Sequence, residues 1–528
     1  MEFKKILFIV RKSSENAYKE CINSIDALKI PLRCSIGYAS YDANDTFQPL
    51  DVYLATYQSE SPDISIIVDD TVLFVYEDLL NDLIKVFQSD SSIRLIGVKG
   101  VREFPDSGII NDAENIYGGL YEMNNQREVF EKRYTDISEA YAQVEAVSST
   151  VLVIRGYIPV WAGVNGRCIG EVMSVAAEVY GYKAVIPRNA RFWCFSTLPE
   201  VKPTAEDVAF IKGKYRFKRI LFNRNHYLLS IGIPTFNRSK YLAKCLSNLC
   251  TQTSNLPWIE IFVSDNASTD DTEKIIARCY GGENFRYHKQ FANIGAGKNF
   301  EYIYENARGD FVIACGDDDY YTGEAILNLL EAICLYPDVT VMGLEWRYDH
   351  VASAILHNVG FDNFLVECTE LYTCISCVAL NKERYMEVSC KDRFAHTQLN
   401  QCYIQLEMIR HAPGYVLIKG NNFSRASGEA SRGRIFSRDE QQAFCDIFIR
   451  EYYSVVEYFL DKGLSRNAFE KEKIINIRKI FTWLHHIKQT GHLSQWRIDD
   501  DLDVLIEEFY GYEPYYDRLK QEVAILKR

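Results

Sequence analysis

Long apolar runs and an excess of positive charge are both missing from this chain of 528 residues. No stretch reaches the roughly 18 consecutive apolar residues that a membrane-spanning helix needs, and the N-terminal run from Ile6 to Val10 is shorter than a signal-peptide core. Acidic residues outnumber basic ones by 72 to 59, and the net charge of −13 would repel a nucleic-acid backbone. We therefore expect a cytoplasmic protein with no transmembrane segment and no nucleic-acid partner, while peripheral membrane association stays open.

Proline and glycine are too few for a long low-complexity tract, since the chain has 13 and 29 of them. Its 15 cysteines are scattered through apolar segments, which is typical of small buried side chains in a reducing compartment. Cys374 and Cys377 form the one CxxC, in a segment that predicts a strand, LYTCISCVAL. Because no second CxxC completes a four-ligand set, zinc or redox chemistry is disfavoured.

From Leu228 onward, strand patterns alternate with helical patterns. The segment LLSIGIP predicts a strand and SKYLAKCLSNLC a helix, and the further strands WIEIFVSD, FRYHK and DFVIAC are each followed by a helical segment. This alternation predicts an α/β fold with a mostly parallel sheet. Ligands bind beyond the carboxyl ends of the strands in such sheets, which is where Asp265 and the run Asp317–Asp319 stand.

The first 200 residues repeat this plan more weakly. SIIVDDTVLFVYEDLLNDL and FVIACGDDDYYTGEAILNLL share the order of strand, acidic turn and helix, which indicates an internal duplication. Beyond Phe436 the spacing of apolar residues is helical. We predict two α/β domains in tandem at 1–200 and 228–435, with a connector at 201–227 and a helical region at 436–528.

Three carboxylates in a row after a buried strand repel one another, so they suit either a bound cation or an ordinary solvated acidic turn. Mg²⁺ and Mn²⁺ prefer oxygen ligands of this kind and bridge them to a diphosphate. The segments IGIPTFNRSKYLAKCLSNL, IFVSDNASTDDTEKII and NIGAGKNFEYIYENARGDFVIACGDDD resemble, in order and context, the family 2 glycosyltransferases of the GT-A fold. This resemblance covers about 228–430. The first 200 residues are similar to a second, diverged GT-A-type domain.

The resemblance implies a nucleotide-sugar donor and a divalent cofactor, Mn²⁺ or Mg²⁺. Asp318 and Asp317 would hold the metal, and Asp317 would also meet the ribose. The implied donor-binding residues are Pro234, Thr235, Asn237, Arg238, Asp265, Asn293, Lys298 and Asp317. Simpler roles stay open for three of them, since Asn237 suits a turn, Asp265 a helix cap and Lys298 a solvated helix face.

The implied reaction is inverting transfer of a sugar to a hydroxyl of a glycan, lipid-linked or protein acceptor. The family usually supplies the base as an Asp or Glu at the start of a downstream helix, and His396 stands near that point here. An ordinary imidazole pKa of about 6.5 suits a base, although a structural role for His396 and Glu407 as base are alternatives. Gly316 also departs from the family, which usually has an acidic residue there. No QxxRW signature of processive synthases is present, so we expect addition of a single sugar.

Other classes of function stay open for the chain and for its first domain. A non-catalytic carbohydrate-binding or scaffold protein is one alternative, whereas a nucleotidyltransferase is disfavoured because IPTFNR replaces a glycine-rich phosphate loop. A bifunctional transferase is another, with Asp69 and Asp70 in a second donor site. If the first domain has no donor site, we expect it to be a binding and docking module. Two carboxylates that close an apolar strand favour an active or formerly active domain.

Overall fold

The computed structural model describes most of the chain. The described residues are 3–42, 53, 60–119, 121–123, 129–131, 134–161, 168–198, 202–279, 282–345, 354–368, 373–420, 422–423, 442–490, 496–497 and 502–527. The chain folds as two compact units whose main division lies between Arg224 and Asn225. The boundaries predicted at residues 200 and 435 lie outside the described residues.

The first unit combines short and long strands with four helices among its described residues. Its strands are β1 (Lys5–Lys12), β2 (Ser35–Asp42), β3 (Ile64–Asp69), β4 (Val72–Phe74), β5 (Ile93–Gly97), β6 (Lys99–Val101), β7 (Ile116–Gly118), β8 (Tyr121–Met123), β9 (Val129–Glu131), β10 (Tyr141–Val144), β11 (Ala146–Val147), β12 (Val151–Arg155), β13 (Lys183–Pro187) and β14 (Cys194–Ser196). Its helices are α1 (Glu15–Asp26), α2 (Leu79–Ser89), α3 (Ile169–Val179) and α4 (Ala205–Phe222), with 3₁₀ turns at Ile110–Asp112 and Ala190–Phe192.

The second unit carries the remaining elements. Its strands are β15 (Leu229–Thr235), β16 (Ile259–Asp265), β17 (Phe285–Lys289), β18 (Phe311–Ala314), β19 (Val341–Leu344), β20 (Ala354–Val359), β21 (Val378–Asn381), β22 (Gly414–Lys419), β23 (Gln442–Ala443) and β24 (Trp496–Arg497). Its helices are α5 (Ser239–Thr253), α6 (Thr272–Cys279), α7 (Ala296–Asn306), α8 (Gly323–Leu335), α9 (Phe361–Glu367), α10 (Lys382–Glu387), α11 (Asn400–His411), α12 (Tyr452–Glu457), α13 (Arg466–Thr490), α14 (Leu502–Tyr510) and α15 (Tyr516–Lys527). Shorter turns are the 3₁₀ segments Ile375–Cys377 and Leu460–Lys462 and the π-helical segment Asp446–Glu451.

The main sheets of the two units share one strand order. The first sheet runs β2-β1-β3-β12-β5-β13-β10, and the second runs β17-β16-β15-β18-β21-β19-β22-β20. Apart from β17, each strand of the second sheet occupies the place of a strand of the first and pairs with its neighbours in the same direction. The corresponding strands also follow the same order along the chain. This topology agrees with an internal duplication.

The predicted fold class, two α/β domains in tandem with a helical C-terminal region, is confirmed. The early strands of each sheet pair in parallel, and β12 and β21 introduce antiparallel pairs. β16 is buried along its whole length, including its polar residues Glu260, Ser264 and Asp265. A Cβ at Gly232 of β15 would lie 2.1 Å from Ile303 Cγ2, so this glycine lets α7 pack directly on the sheet.

The prediction of a strand through the CxxC segment is wrong at its start. Cys374 precedes the 3₁₀ turn Ile375–Cys377, and the strand begins at Val378. The helix α4, in the stretch predicted as a connector, begins with a capping box at Thr204 and Asp207 and belongs to the first unit. Among the described helices, none is long and apolar enough to cross a membrane.

Candidate active site

The strand ends that carry acidic residues lie side by side at the carboxyl edge of the second sheet. β15 pairs in parallel with β16 and β18, and the register sets Thr235 opposite Asp265. On the other side, the offset that pairs Leu229 with Phe311 brings Thr235 beside Asp317. Thr235 Oγ1 donates a hydrogen bond of 2.9 Å to Asp317 Oδ2. Predicted residues from three strands therefore meet at one place.

Arg238 holds two of the carboxylates together. Its Nε donates to Asp317 Oδ1 at 2.7 Å, and its Nη2 donates to Asp318 Oδ2 at 2.5 Å. The guanidinium also lies 4.4 Å from the centre of the Tyr241 ring. Because hydrogen bonds between ionised groups are stronger than neutral ones, Arg238 fixes the acidic turn against the end of β15. Pro234 is half-buried in the same strand end.

The two carboxylates that Arg238 joins differ in exposure. The side chain of Asp317 is 6% exposed, whereas that of Asp318 is 46% exposed. Burial raises the pKa of Asp317 to about 6, although Arg238 and Thr235 act in the opposite direction. Asp318 is therefore the carboxylate that a ligand reaches most easily, and Asp317 orients the turn behind it.

Ser376 is a residue of the site that the sequence analysis missed. Its Oγ donates to Asp319 Oδ2 at 2.5 Å and accepts a hydrogen bond of 2.9 Å from the backbone N–H of Gly316. Burial raises the pKa of Asp319 to about 6, and the hydrogen bond from Ser376 opposes that rise. No pattern in the sequence pointed to Ser376, because its position depends on the 3₁₀ turn before β21.

Asp265 ends β16, and its side chain is fully buried. Its Oδ1 accepts a hydrogen bond from the backbone N–H of Ser268 at 2.8 Å, and its Oδ2 accepts one from the Tyr287 hydroxyl at 2.8 Å. Burial and the neighbouring Asp265 raise the pKa of Tyr287. In this geometry Asp265 holds the loop after β16 in place, which is the cap-like role that the sequence left open.

Two asparagines order the loops at this edge. Asn237 adopts a left-handed backbone with φ of 54°, and its Oδ1 accepts a hydrogen bond of 2.8 Å from the N–H of Thr269. Asn293 is exposed, and its Oδ1 accepts hydrogen bonds of 2.9 Å from Asn266 Nδ2 and from the N–H of Gly295. Both side chains bond to neighbouring loops, so both have a structural role as turn formers.

Lys298 lies in the exposed first turn of α7. Its Nζ pairs with Glu301 Oε2 at 2.7 Å, and the side chain is 58% exposed. The hydrogen bond that Lys298 donates to Glu301 is the main cause that raises the pKa of Lys298, and Asp392 adds a smaller electrostatic contribution. A solvated lysine of this kind is free to turn toward an anion at the amino end of α7.

The two predicted candidates for the base lie in different surroundings. His396 is exposed on the turns before α11, and its ring stacks on Phe394 with 5.9 Å between centroids. Glu407 lies within α11, and its carboxylate binds Arg410 Nη2 at 2.6 Å. The hydrogen bond from Arg410 is the largest of the effects that hold the pKa of Glu407 below its usual value. A carboxylate tied up in this way is a poor base, which disfavours Glu407.

The turns before α11 also carry a carboxylate that the sequence analysis passed over. Asp392 is exposed four residues before His396 and lies within electrostatic reach of Lys298. Lys391 Nζ lies 4.0 Å from Glu305 of α7, which fixes this segment beside that helix. The sequence did contain an acidic residue of the kind that the resemblance implies for the base, but this residue, Asp392, stands four positions before His396.

The acidic turn of the first unit is built differently. Asp70 is 2% exposed, and its Oδ2 accepts hydrogen bonds of 2.6 and 3.2 Å from the N–H groups of Ser13 and Ser14. The Ser13 hydroxyl donates to Asp70 Oδ1 at 2.7 Å. Asp69 lies 3.5 Å from Arg11, and its side chain is 41% exposed. Asp70 therefore fastens the turn between β1 and α1.

The donor atoms at the second unit's acidic turn fit a hard divalent cation. Asp318 presents a half-exposed carboxylate, and Asp317 lies beside it. Within the part of the chain that the structure describes, no group of three or more His, Cys, Asp or Glu side chains is placed to hold a metal ion. Mg²⁺ commonly takes one or two protein carboxylates and completes its shell with substrate phosphates and water, so this donor set is sufficient.

The fold and the site together define a tandem α/β protein whose second sheet gathers carboxylates beyond the carboxyl ends of its parallel strands. Residues 230–386 match the model of glycosyl transferase family 2, and residues 7–212 match the model of a glycosyltransferase like family. The chain thus carries a family 2 glycosyltransferase domain preceded by a glycosyltransferase-like domain, and both resemblances are confirmed.

Curated relatives match parts of the chain. The abequosyltransferase RfbV of Salmonella typhimurium strain LT2 is 27% identical over 211 residues, which cover 36% of this chain and 63% of RfbV. The poly(ribitol-phosphate) β-N-acetylglucosaminyltransferase TarS of Staphylococcus aureus is 31% identical over 98 residues, which cover 18% of this chain and 17% of TarS. The chain therefore spans less than two thirds of the length of these relatives.

Solved structures are similar at low identity. Residues 1–349 of S. aureus TarS in complex with UDP-GlcNAc align with a TM-score of 0.36 and 16% identity, covering 53% of this chain and 81% of that one. The mannosyltransferase PcManGT from Pyrobaculum calidifontis in complex with GDP-Man and Mn²⁺ aligns with a TM-score of 0.33 and 14% identity, covering 59% and 90%.

Proposed function

We propose that the second unit catalyses inverting, metal-dependent transfer of one sugar from a nucleotide-diphosphate sugar to a hydroxyl of a glycan or glycoconjugate acceptor. The observation that carries the proposal is the meeting of Thr235, Arg238, Asp317 and Asp318 at the carboxyl edge of a family 2 domain. RfbV and TarS, which match parts of this chain, are both glycosyltransferases by name.

The donor lies, in this proposal, across the ends of β15, β16 and β18. Its base and ribose approach the loop that Asp265 and Asn237 order, and Asp317 meets the ribose. Its diphosphate carries negative charge, and Arg238, Lys298 and the exposed amino end of α7 supply the complementary charge. Arg238 already contacts both carboxylates, so it links the diphosphate to the acidic turn.

Asp318, supported by Asp317, would hold Mn²⁺ or Mg²⁺. When bound, the cation supplies electrostatic stabilisation of the charge that develops on the leaving diphosphate. The chain's own residues orient the donor so that its anomeric carbon faces the acceptor. Ser376 keeps Asp319 and the backbone of the acidic turn in a fixed position for this purpose.

The base takes the proton from the acceptor hydroxyl as that oxygen attacks the anomeric carbon. His396 is the first candidate, because its imidazole is exposed and histidine is the side chain that most often acts as a general base. Asp392 on the same turns is the second candidate, since its carboxylate is exposed and near Lys298. Asp392 thus lies near the first turn of α7, where the diphosphate is expected.

Hydrolysis of a panel of nucleotide sugars, with and without Mn²⁺, tests this proposal. A transferase slowly hydrolyses its own donor, so we expect one donor to be consumed in the presence of metal. Asp318→Asn should abolish this reaction, whereas Asp271→Asn is the matched control because Asp271 is an exposed aspartate of the same unit. Release of pyrophosphate in a separate assay with a nucleoside triphosphate and a sugar 1-phosphate would instead indicate a nucleotidyltransferase. No hydrolysis of any donor would favour a carbohydrate-binding scaffold.

A further inference from the structure

The first unit contains a cavity of about 460 Å³ that the proposed reaction does not use. Helix α2 supplies one side of it, and the segments before β10 and after β13 supply the other. The lining residues are Asp82, Lys85, Val86, Ala140, Arg188, Asn189, Arg191 and Phe192.

The cavity has more positive than negative groups, although the chain as a whole is acidic. Lys85 Nζ is paired with Asp82 at 2.8 Å, which leaves two guanidinium groups. That of Arg191 lies 3.8 Å from Asp136, whose side chain is 97% exposed, so this pair is weak. Among the residues that the structure describes, the Arg188 guanidinium has no hydrogen-bond or ion-pair partner. Two donor groups are therefore available for an oxyanion.

Hydrogen-bonding groups in the cavity are held in fixed positions. Asp82 Oδ2 accepts a hydrogen bond of 2.8 Å from the Tyr76 hydroxyl and one of 2.7 Å from Asn189 Nδ2. Burial acts to raise the pKa of Asp82, but the hydrogen bonds from Lys85, Tyr76 and Asn189 outweigh it and lower the pKa. Asp82 is therefore an ionised acceptor at neutral pH, suited to a sugar hydroxyl.

An aromatic ring forms part of the wall. Phe192 is 44% exposed, and the Arg191 guanidinium lies 4.6 Å from the centre of its ring. Val86 adds a second apolar surface. Binding sites that combine an apolar wall with a few fixed polar groups suit ligands that have both kinds of surface, and a pyranose has carbon-bound hydrogens on its faces and hydroxyls around its edge.

The cavity opens at the edge of the sheet where the acidic turn of this unit also lies. β5 and β3 both pair antiparallel with β12, and β13 pairs in parallel with β5, so β13 and β3 run in the same direction. Arg188 follows β13 and Asp69 ends β3. Three strand spacings separate these strands, which corresponds to roughly 14 Å.

We propose that this cavity binds an acidic sugar, a pyranose that bears a carboxylate or a phosphate, as part of the acceptor glycan. Arg188 and Arg191 bind the oxyanion, Asp82 and Asn189 bind hydroxyls, and Phe192 packs on the ring. The inference rests on the proposed function, because the acidic sugar is taken to be part of the glycan acceptor in that reaction.

Calorimetry on the full chain, without donor or metal, tests this binding. The probes are trigalacturonate for the carboxylate, galactose 6-phosphate for the phosphate, and galactotriose as the neutral match. We expect one of the two acidic probes to bind at least tenfold more tightly than galactotriose. Arg188→Gln should weaken that binding at least tenfold, and Arg191→Gln should weaken it less. Arg219→Gln, which alters an exposed arginine of α4 outside the cavity, should change nothing.

The inference is overturned if neither acidic probe binds, if galactotriose binds equally well, or if Arg188→Gln binds like the unaltered chain. If inorganic phosphate binds with the same affinity as galactose 6-phosphate, the sugar contributes nothing to binding, and the proposal that the cavity recognises a sugar is overturned. An unchanged circular dichroism spectrum and an unchanged Tm of Arg188→Gln check its folding. Because these titrations contain no donor, the absence of acidic-sugar binding can be distinguished from the absence of donor hydrolysis.

Discussion

The two α/β units have the same strand order but use the carboxylates at the equivalent strand end in different ways. In the first unit, Asp70 is buried and accepts hydrogen bonds from the backbone of the turn after β1. In the second, Arg238 from the turn after β15 binds Asp317 and Asp318, and Asp318 stays 46% exposed. Backbone N–H and hydroxyl groups therefore bind the buried carboxylate of the first turn, whereas an arginine guanidinium binds the buried carboxylate of the second.

This difference indicates that acidic residues in the turn after β3 or β18 are not by themselves enough to predict a donor site. The first turn satisfies its buried carboxylate with fixed groups of the same unit, so little of its charge is left for a cation. Both turns also keep a partly exposed carboxylate near an arginine, but Arg238 lies 2.5 Å from Asp318 whereas Arg11 lies 3.5 Å from Asp69. We therefore expect donor chemistry in the second unit and a binding role in the first.

The largest contrast should come from removing one charge in each unit. Asp318→Asn should lower transfer more than about 100-fold, because the carboxylate is the main ligand proposed for the cation. Asp69→Asn should change transfer less than twofold. Steady-state assays with and without Mn²⁺ check this. Equal losses in the two variants would show that both turns serve the reaction.

The base gives the next largest effect. We expect His396→Ala to lower kcat about 100-fold, to flatten the acidic limb of the pH profile and to leave donor affinity unchanged. In the first unit, Glu171 in the first turn of α3 accepts a hydrogen bond of 3.0 Å from Ser149, and Glu171→Gln should not affect kcat. If Asp392→Asn shows the loss and His396→Ala does not, the base is Asp392.

A smaller effect is expected from substituting the arginines beside the two acidic turns. Arg238→Gln should raise the donor KM about tenfold, since its guanidinium is proposed to bind the diphosphate. Arg11→Gln, which removes the corresponding partner of Asp69, should leave KM unchanged. Initial rates over a range of donor concentrations measure both. A normal KM in Arg238→Gln would contradict the donor placement.

The smallest change in activity should come from the two buried aspartates. Asp265→Ala and Asp70→Ala each remove a buried acceptor of two or more hydrogen bonds, so each should lower the free energy of unfolding by roughly 1–3 kcal/mol. Asp265→Ala should also raise the donor KM with less effect on kcat, whereas Asp70→Ala should not. Denaturant titration and kinetics separate the two effects, and identical kinetics would remove the proposed donor role of Asp265.

Much of the site could be predicted from sequence because it depends on strand ends. The rule that parallel strands present their carboxyl ends at one edge brought Asp265 and Asp317 together in advance, whereas Thr235 was implied by the family resemblance. Ser376 could not be found in this way, because its contact with Asp319 spans 57 residues and depends on a 3₁₀ turn where a strand was expected. The strand order that the two units share could be predicted only in part, because the antiparallel pairing of β12 and β21 produces no periodic pattern of apolar residues in the sequence.

The pairing of Arg238 with the acidic turn also lay beyond the sequence. The motif PTFNR predicted a contact with the donor, but side-chain direction at the start of α5 decides that the guanidinium reaches Asp317 and Asp318. The roles of Asn237 and Asn293 in the loops were left open for the same reason. Their hydrogen bonds depend on local backbone geometry, including the left-handed conformation at Asn237.

The stoichiometry of donor binding tests the central claim most directly. Calorimetric titration of the full chain with its nucleotide sugar and Mn²⁺ should give one site per chain, which Asp318→Asn abolishes and the double variant Asp69→Asn and Asp70→Asn retains. Two sites per chain, or the loss of the single site in the first-unit double variant together with its retention in Asp318→Asn, would contradict the assignment of donor chemistry to the second unit.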